Sequence, residues 1–303
     1  MSMTERPILR IDGVVSMSLP DIAKAYCDDG YVVCERLFSD DELAALKEDL
    51  VKLARGYYPC ESLQPIPDSV SDEDALANIL CIHFPHHASP VVKAFTQHEK
   101  LARVLSQIVG AHLADGHWNG GVKCMQSMFF AKPSGKPGQA WHQDELYIPT
   151  RDRSLCGAWI AVDDATLENG CLWVIPGSHK SGVLYPQKPH GRNDEFDASN
   201  ESYGFDESLE IPVEVPAGSV VFFNGYLLHR SKRNTSSGYR RALVNHYMSM
   251  NSLLPWWVGD NPPQYVSGAS DCRCVHPVVG EDPYAGAGYE VPKDAVYLRG
   301  YGD

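Results

Sequence analysis

The sequence predicts an α+β protein that is mainly β: a double-stranded β-helix (a cupin-like jelly roll) with N-terminal helices packed on one sheet. Three observations lead to this prediction. Helical periodicity is concentrated in about the first 120 residues, extended segments dominate from about residue 121 to 250, and Pro, Gly and Asn turns separate those segments. Short strands punctuated in this way are typical of double-sheet jelly rolls. Helices that precede the strands are expected to cover one of the sheets.

We expect one domain over residues 1–303, because all-β domains reach this size. Its parts would be a mostly helical segment (1–120), a jelly-roll core (121–250) with an insert (179–209), and a C-terminal tail (251–303) that wraps over the barrel. The insert is too long and polar for a hairpin loop, so we expect a functional lid or a disordered segment.

The N-terminal part begins with residues 1–20, which lack periodicity and predict an arm that packs on the domain. Ser39 and Glu42 form a capping box before leucines at helical spacing, which predicts a helix that ends near Gly56. A short strand is expected at Tyr31–Cys34. Further helices are expected from about Ser71 (with its end at Ile79–His87), at Pro90–Phe95 and at Glu99–Val109. The histidine-rich segment around Pro85 is expected to be a solvated turn, with His83 as a candidate pocket residue.

Eight strands are predicted in the core. They cover Val122–Phe130, Trp141–Ile148, Cys156–Val162, Cys171–Ile175, Ile211–Val215, Val220–Phe223, Leu227–Ser231 and Arg241–Met248.

Composition limits the function classes. The formal net charge of -13 argues against nucleic acid and against anionic membranes as partners. Nine cysteines without framework spacing, no signal-peptide pattern and no apolar run near the ~20 residues of a membrane span indicate free thiols in the cytoplasm. A small-molecule substrate is the expected partner, and the composition is compatible with a homodimer.

The segment Gln139–Tyr147 carries a His-x-Asp pattern. In an extended strand His142 and Asp144 point to the same face. An imidazole and a carboxylate placed in this way are two of the three ligands of a 2-His-1-carboxylate triad, which holds ferrous iron and leaves positions open for substrate and O2. His229, on a distant strand, is the candidate third ligand.

Arg240 lies eleven positions after His229, beyond a Ser/Gly-rich turn. We expect it to begin the strand next to the one that bears His229. A buried arginine beside three metal ligands requires an anion, and its fork suits the distal carboxylate of 2-oxoglutarate. Ser231 shares a strand face with His229 and could add a hydroxyl to the same carboxylate.

The runs Trp141–Asp144, Gly157–Leu172 and Pro176–His179 strongly resemble the phytanoyl-CoA dioxygenase family, as does the spacing of His229 and Arg240. The resemblance covers roughly residues 25–250. It implies a non-haem iron(II) dioxygenase that consumes 2-oxoglutarate and O2, releases succinate and CO2, and oxidises (typically hydroxylates) a substrate carbon.

The resemblance also implies residue roles. His142, Asp144 and His229 would bind the iron and Arg240 the 2-oxoglutarate, with Met128 and Trp159 lining the co-substrate. We further assign Gln143 to the co-substrate, and His83, Tyr147 and His246 to the substrate side of the pocket.

Two features separate this chain from other members of the fold. The lysine that family members often carry before the barrel is absent from residues 78–83, where His83 could substitute. Halogenating relatives have a small residue in place of the carboxylate, so Asp144 disfavours halogenation.

Two alternatives stay open: a non-catalytic binding protein on the same barrel, and a cupin-like metal enzyme that does not use 2-oxoglutarate. Desaturation, epoxidation and rearrangement are further outcomes that the spacing does not distinguish from hydroxylation. The substrate is equally open. An acyl-CoA would need the basic side chains of the insert for its phosphates, and a smaller carboxylate or neutral molecule fits the acidic background at least as well.

Overall fold

The computed structural model describes residues 10–12, 19–114, 116–254, 275–285 and 295–301. Its helices are α1 (Leu19–Asp29), α2 (Asp40–Ala54), α3 (Asp72–Leu76), α4 (Pro90–Thr96) and α5 (Glu99–Ile108). Its strands are β1 (Arg10–Asp12), β2 (Tyr31–Glu35), β3 (Ile79–His83), β4 (Val122–Lys132), β5 (Gln139–His142), β6 (Cys156–Ala161), β7 (Leu172–Val174), β8 (Gln187–Lys188), β9 (Glu201–Ser202), β10 (Ile211–Val213), β11 (Val220–Asn224), β12 (His229–Ser231), β13 (Arg240–Ser249), β14 (His276–Val279) and β15 (Tyr297–Gly300).

Two sheets form the barrel. Within the described residues, the larger sheet has the order β1-β2-β11-β6-β13-β4-β3-β15, and β14 pairs with β4 as a ninth strand. The smaller sheet has four strands in the order β10-β7-β12-β5. This mainly antiparallel, two-sheet arrangement confirms the jelly roll expected from the strand pattern.

Side chains along the strands of the larger sheet point alternately to its two faces, and each face carries a hydrophobic layer. On β11, Val220 and Phe222 face the helices, whereas Val221 and Phe223 face the smaller sheet. The helix layer is closed mainly by α1, α2 and α5, and the capping box at Ser39 starts α2 as expected. The prediction that the N-terminal helices pack on one sheet is therefore confirmed.

The strand predicted at Trp141–Ile148 is shorter than expected. Strand β5 ends at His142, and a 3-10 turn covers Asp144–Leu146. The carboxylate of Glu145 explains the turn, because its Oε1 atom accepts hydrogen bonds from both the backbone N–H and the hydroxyl of Thr150, each at 2.6 Å.

Helix α1 was not predicted from the sequence, and its buried Ile22 and Tyr26 lie one turn apart. Two other expectations differ from the structure. Residues 79–83 form strand β3 inside the larger sheet, where a helix end was expected. His86, expected in a solvated turn, is only 4% exposed, and its Nδ1 lies 2.5 Å from the Ser127 hydroxyl.

The insert is ordered into secondary structure. It begins with a 3-10 turn at Ser178–Ser181, continues as the β8–β9 hairpin and ends with a 3-10 turn at Glu207–Leu209. Buried Phe196 and the backbone bridge between Phe196 and Gly138 attach it to the segment before β5.

The C-terminal tail adds strands β14 and β15 to the larger sheet. Its tryptophans and two of its tyrosines, Tyr265 and Tyr289, lie outside the described residues. A buried ion pair attaches the tail, since the ammonium of Lys123 on β4 lies 3.1 Å from the carboxylate of Asp282. The side chains are 0% and 3% exposed.

We expect Asp282→Asn to lower the free energy of unfolding by about 3–5 kcal/mol, because it leaves the buried Lys123 ammonium without its counter-charge. Urea denaturation followed by circular dichroism measures this loss. The control is Glu48→Gln, which removes an exposed pair with Lys52 and should leave the free energy of unfolding nearly unchanged. Equal effects of the two substitutions would mean that the Lys123–Asp282 pair does not hold the tail.

Candidate metal centre

The pairing of two strands of the smaller sheet brings the distant histidines together. His142 is the last residue of β5, His229 is the first of β12, and the two are partners in the antiparallel ladder. Their ring centroids lie 4.0 Å apart. Both residues are about 5% exposed, so the pair is buried.

Asp144 reaches the same point from the turn after β5. Gln143 between them is extended (φ -133°, ψ 125°), so the alternation expected for a strand persists for one residue beyond it. The Asp144 Oδ1 atom lies 3.6 Å from the Nε2 atom of His142 and 3.7 Å from that of His229. Within the described ranges, this is the group of three metal-ligating side chains whose ligand atoms all lie within 4.8 Å of one another.

Backbone hydrogen bonds orient both imidazoles. The Nδ1 atom of His142 donates to the Ala140 carbonyl at 2.8 Å, and that of His229 donates to the Leu227 carbonyl at 3.0 Å. Each ring therefore presents Nε2 to the cavity as an acceptor, the arrangement that metal-ligating histidines use. Burial, together with the neighbouring His229, lowers the pKa of His142 to about 4, which keeps this ring neutral and able to bind a metal.

His246, on β13 of the opposite sheet, holds the carboxylate. Its Nε2 atom lies 3.0 Å from the Asp144 Oδ2 atom, which leaves Oδ1 facing the two histidines. Burial raises the pKa of Asp144, but His229, His246 and His142 outweigh burial, and the pKa is held below its ordinary value. His246 lines the cavity as expected, and the contact that the structure shows for it is with Asp144.

This donor set fits ferrous iron. Two imidazole nitrogens and one carboxylate oxygen converge on one point, and the group lines a cavity of about 520 Å³. Three ligands on one face with open positions opposite are the arrangement of non-haem iron oxygenases.

A buried cation faces the same cavity. Arg240 is 4% exposed, and its guanidinium lies 5.5 Å from the centre of the Trp159 ring. Its Nε atom has no hydrogen-bond partner, and it forms no ion pair with any carboxylate of the described segments. Burial lowers the pKa of Arg240 to about 10, so it remains charged at neutral pH. An uncompensated buried charge of this kind is costly unless an anion joins it.

We expected Arg240 to lie on the strand next to the one that bears His229, and the structure differs. Strand β13 lies between β6 and β4 in the larger sheet, whereas β12 belongs to the smaller sheet. Arg240 and His229 therefore approach the cavity from opposite sheets rather than from neighbouring strands.

Lys132 is a cavity residue that the sequence analysis missed. It pairs with Arg240 across the β4–β13 ladder, and its ammonium donates to the hydroxyl of Ser231 at 3.0 Å and to the carbonyls of Lys232 and Gly170. Burial and the adjacent Arg240 lower its pKa well below the ordinary value. Extending the period-two pattern of β4 by two residues beyond Phe130 would have placed Lys132 on the cavity face.

The hydrogen bonds of Ser231 leave its proton available. Its oxygen already accepts from the Lys132 ammonium and from the Gln139 backbone N–H at 3.2 Å. The hydroxyl proton can therefore donate to a further group, and Ser231 lines the cavity. This position suits the hydroxyl that the sequence analysis assigned to the co-substrate.

The remaining predicted residues divide into two groups. Those that line the cavity are Met128, Trp159, Tyr147 and His83. Gln143 does not belong to the cavity wall. Its amide nitrogen donates to the carbonyls of Val183 and Tyr226, and its oxygen accepts from the Tyr185 N–H. Gln143 therefore anchors the insert, and the expected contact with the co-substrate is not supported by its position.

We expect His142→Ala and His229→Ala each to weaken Fe(II) binding by roughly 100-fold or more, because loss of a hydrogen bond to a ligand alone costs 10- to 100-fold. Anaerobic calorimetric titration of Fe(II), with circular dichroism to monitor folding, measures this. His112→Ala, at an exposed histidine outside the cavity, is the control and should bind normally. Normal affinity in a folded His142 or His229 variant would contradict the triad.

Comparisons with known proteins agree with this geometry. The family model for phytanoyl-CoA dioxygenase (PhyH) matches residues 26–242. A protein named phytanoyl-CoA dioxygenase from Arabidopsis thaliana is 29% identical over 280 residues, which is 82% of this chain and 94% of that protein. The phytanoyl-CoA dioxygenase domain-containing protein 1 of Danio rerio is 34% identical over 45% of this chain, and the alignment spans about half (48%) of that relative.

Among solved structures, the epimerase SnoN in complex with Fe3+, alpha ketoglutarate and nogalamycin RO has a similar fold. Its TM-score is 0.58 at 18% identity, over 78% of this chain and 85% of that one. No helix within the described residues is both long enough and apolar enough to cross a membrane. With the family model matching more than half of its length, this chain belongs to the phytanoyl-CoA dioxygenase family of non-haem iron(II)- and 2-oxoglutarate-dependent dioxygenases.

Proposed function

We propose that this dioxygenase hydroxylates an aliphatic carbon of a small-molecule substrate. In this proposal His142, Asp144 and His229 hold the iron, and Arg240 binds the distal carboxylate of 2-oxoglutarate. The observation that carries the proposal is the buried guanidinium of Arg240, which lacks a carboxylate partner among the described residues and faces the same cavity as the triad.

The stoichiometry of the proposed reaction accounts for both oxygen atoms of O2. When bound, Fe(II) and 2-oxoglutarate supply the oxidation: one oxygen atom of O2 enters the substrate C–H bond to give C–OH, and the other enters succinate as CO2 leaves. The protein's contribution is to position the participants and to exclude competing reactions.

The two sheets divide the work of positioning. The smaller sheet and the turn after β5 supply the ligand triad, and His246 from the larger sheet fixes the carboxylate. Arg240 offers two N–H groups to one carboxylate, a bidentate geometry that an ammonium cannot reproduce. The Ser231 hydroxyl is placed to donate to the same carboxylate, and the Trp159 ring limits where the guanidinium can move.

Lys132 has a supporting role in this proposal. Its ammonium already has three acceptors within hydrogen-bond distance, so it contributes mainly positive potential and the orientation of Ser231. A bound carboxylate would offset the mutual repulsion of Lys132 and Arg240. Burial makes the two groups unfavourable when no anion is bound, and it therefore favours binding of the anion.

The lining of the cavity supports an aliphatic substrate of modest size. Apolar side chains line the same cavity as the triad, among them Met128, Phe130 and Val244. A volume of about 520 Å³ is that of an ordinary small-molecule site.

The insert offers little to the phosphates of an acyl-CoA. Arg192 pairs with Glu201, the His190 ring bonds to the backbone of the insert, and the Lys188 ammonium stacks on the Tyr203 ring. None of the three lines the cavity. These contacts favour a smaller substrate.

We expect the purified protein to form succinate from 2-oxoglutarate only when Fe(II) is supplied, and Arg240→Lys to weaken 2-oxoglutarate binding by about one to two orders of magnitude. The reason is the loss of a charge-assisted bidentate contact, worth roughly 1.5–3 kcal/mol. Anaerobic titration of 2-oxoglutarate into the iron-loaded protein measures the affinity.

The adjacent arginine is the matched control. Arg241 points to the opposite face and forms a bidentate pair with Asp163 at 2.7 and 2.8 Å. Arg241→Lys should leave 2-oxoglutarate binding unchanged. Equal effects at both positions, or iron-independent succinate formation, would contradict the proposed function.

A further inference from the structure

Most charged side chains of the cavity already have a partner or a role. Arg240 is assigned to 2-oxoglutarate, Asp144 to iron, and Lys132 is surrounded by neutral acceptors. Arg230, which also reaches the cavity, is paired with the carboxylates of Glu207 and Glu210. The remaining charged residues of the lining are Arg299 and Asp197.

Arg299 and Asp197 form a loose pair of opposite charges. Arg299 belongs to strand β15 of the tail, and Asp197 lies in the insert between β8 and β9. The guanidinium Nη2 atom lies 3.9 Å from the Asp197 Oδ2 atom, which is beyond hydrogen-bond distance. The two groups therefore attract each other without saturating their donors and acceptors.

The carboxylate of Asp197 is held in place by its own loop. Its Oδ1 atom accepts hydrogen bonds from the backbone N–H and the hydroxyl of Ser199, and its side chain is 9% exposed. Its Oδ2 atom is left facing Arg299, whose side chain is 35% exposed. The Asp197 carboxylate, a fixed acceptor, and the Arg299 guanidinium, a more accessible donor, thus lie side by side on the cavity wall.

Arg299 lies outside the segment of the chain that carries the proposed iron ligands. Arg299 lies beyond residue 242, where the match to the family model ends. Strand β15 is hydrogen-bonded to β3 of the larger sheet, and Arg299 on β15 lines the cavity. A side chain supplied from outside the shared segment is suited to select the substrate rather than to carry out the shared chemistry.

From this arrangement we propose that the substrate is an amino-acid-like zwitterion: Arg299 binds its carboxylate, Asp197 binds its ammonium, and its aliphatic side chain extends toward the triad. This inference rests on the proposed hydroxylase function. A zwitterion satisfies both protein charges at once. A simple anion would have to compete with the fixed carboxylate of Asp197, and a neutral molecule would add no charged partner to either member of the loose pair.

The test uses the full chain with Fe(II), 2-oxoglutarate and O2, and the twenty protein amino acids as probes. We expect at least one aliphatic amino acid to stimulate succinate release and to gain one oxygen atom by mass spectrometry. For that amino acid two analogues are compared, one without the amino group and one without the carboxylate. Both should have a KM about ten- to a hundredfold higher, because each loses one charge-assisted contact.

Two variants assign the contacts. Arg299→Gln should raise the KM of the amino acid and of the analogue that lacks the amino group. Asp197→Asn should raise the KM of the amino acid but lower that of the amine-free analogue, because this anion no longer competes with the Asp197 carboxylate for Arg299. Arg299→Lys should recover part of the lost affinity. Arg153→Gln, at an exposed arginine outside the cavity, is the matched control and should behave as the wild type.

The outcomes distinguish this inference from the proposed function. Iron-dependent succinate release without stimulation by any amino acid would overturn the zwitterion proposal and leave the dioxygenase assignment intact. Stimulation by hexanoyl-CoA with no response to amino acids would also overturn it. An absence of succinate under all conditions would contradict the hydroxylase function itself.

Discussion

The antiparallel pairing of β5 with β12 is the interaction on which the site depends. It places His142 opposite His229, although 87 positions separate them, and it is possible only because the jelly roll brings distant strands side by side. The turn that follows β5 then carries Asp144 to the same point. Glu145 stabilises this turn through Thr150, so a buried side chain that faces away from the metal ligands still determines where the carboxylate lies.

The opposite sheet supplies the second half of the site. Arg240 and His246 come from β13 and Lys132 comes from β4. Lys132 donates to Ser231 of the smaller sheet, and His246 contacts Asp144 in the turn after β5. Arg240 shares one ladder position with Lys132, and its buried charge, which lacks a carboxylate partner in the described segments, destabilises the empty protein. An organic anion that enters the cavity removes part of this cost, which couples binding of the co-substrate to the stability of the barrel.

Much of this arrangement could be predicted from local sequence. The strands of the core follow from period-two patterns between turn residues, and the His-x-Asp spacing identifies two ligands because one extended residue separates them. Which strands lie next to each other in a sheet was harder to predict. β12 and β13 are consecutive in the chain but belong to different sheets, so the sequence placed Arg240 beside His229 instead of opposite it. Lys132 was missed because the extended pattern was ended at Phe130, before the strand ends.

The sequence predicts a tail that wraps over the barrel, but the strands that this tail adds to the larger sheet could not be predicted. Strand β15 pairs with β3, more than 200 residues earlier, and neither segment has a pattern that points to the other. The short apolar run of β3 is equally compatible with a helix end, and only the neighbouring strand β4 decides its conformation.

The central claim is that one cavity joins a metal site from one sheet to an anion site from the other. A crystal structure of the protein with Mn2+, as a substitute for Fe(II) that is stable in air, and 2-oxoglutarate tests it most directly. The account predicts one ion bound by the Nε2 atoms of His142 and His229 and by Asp144, with the distal carboxylate of 2-oxoglutarate on the guanidinium of Arg240. An ion bound elsewhere, or a carboxylate that leaves Arg240 without a partner, would contradict it.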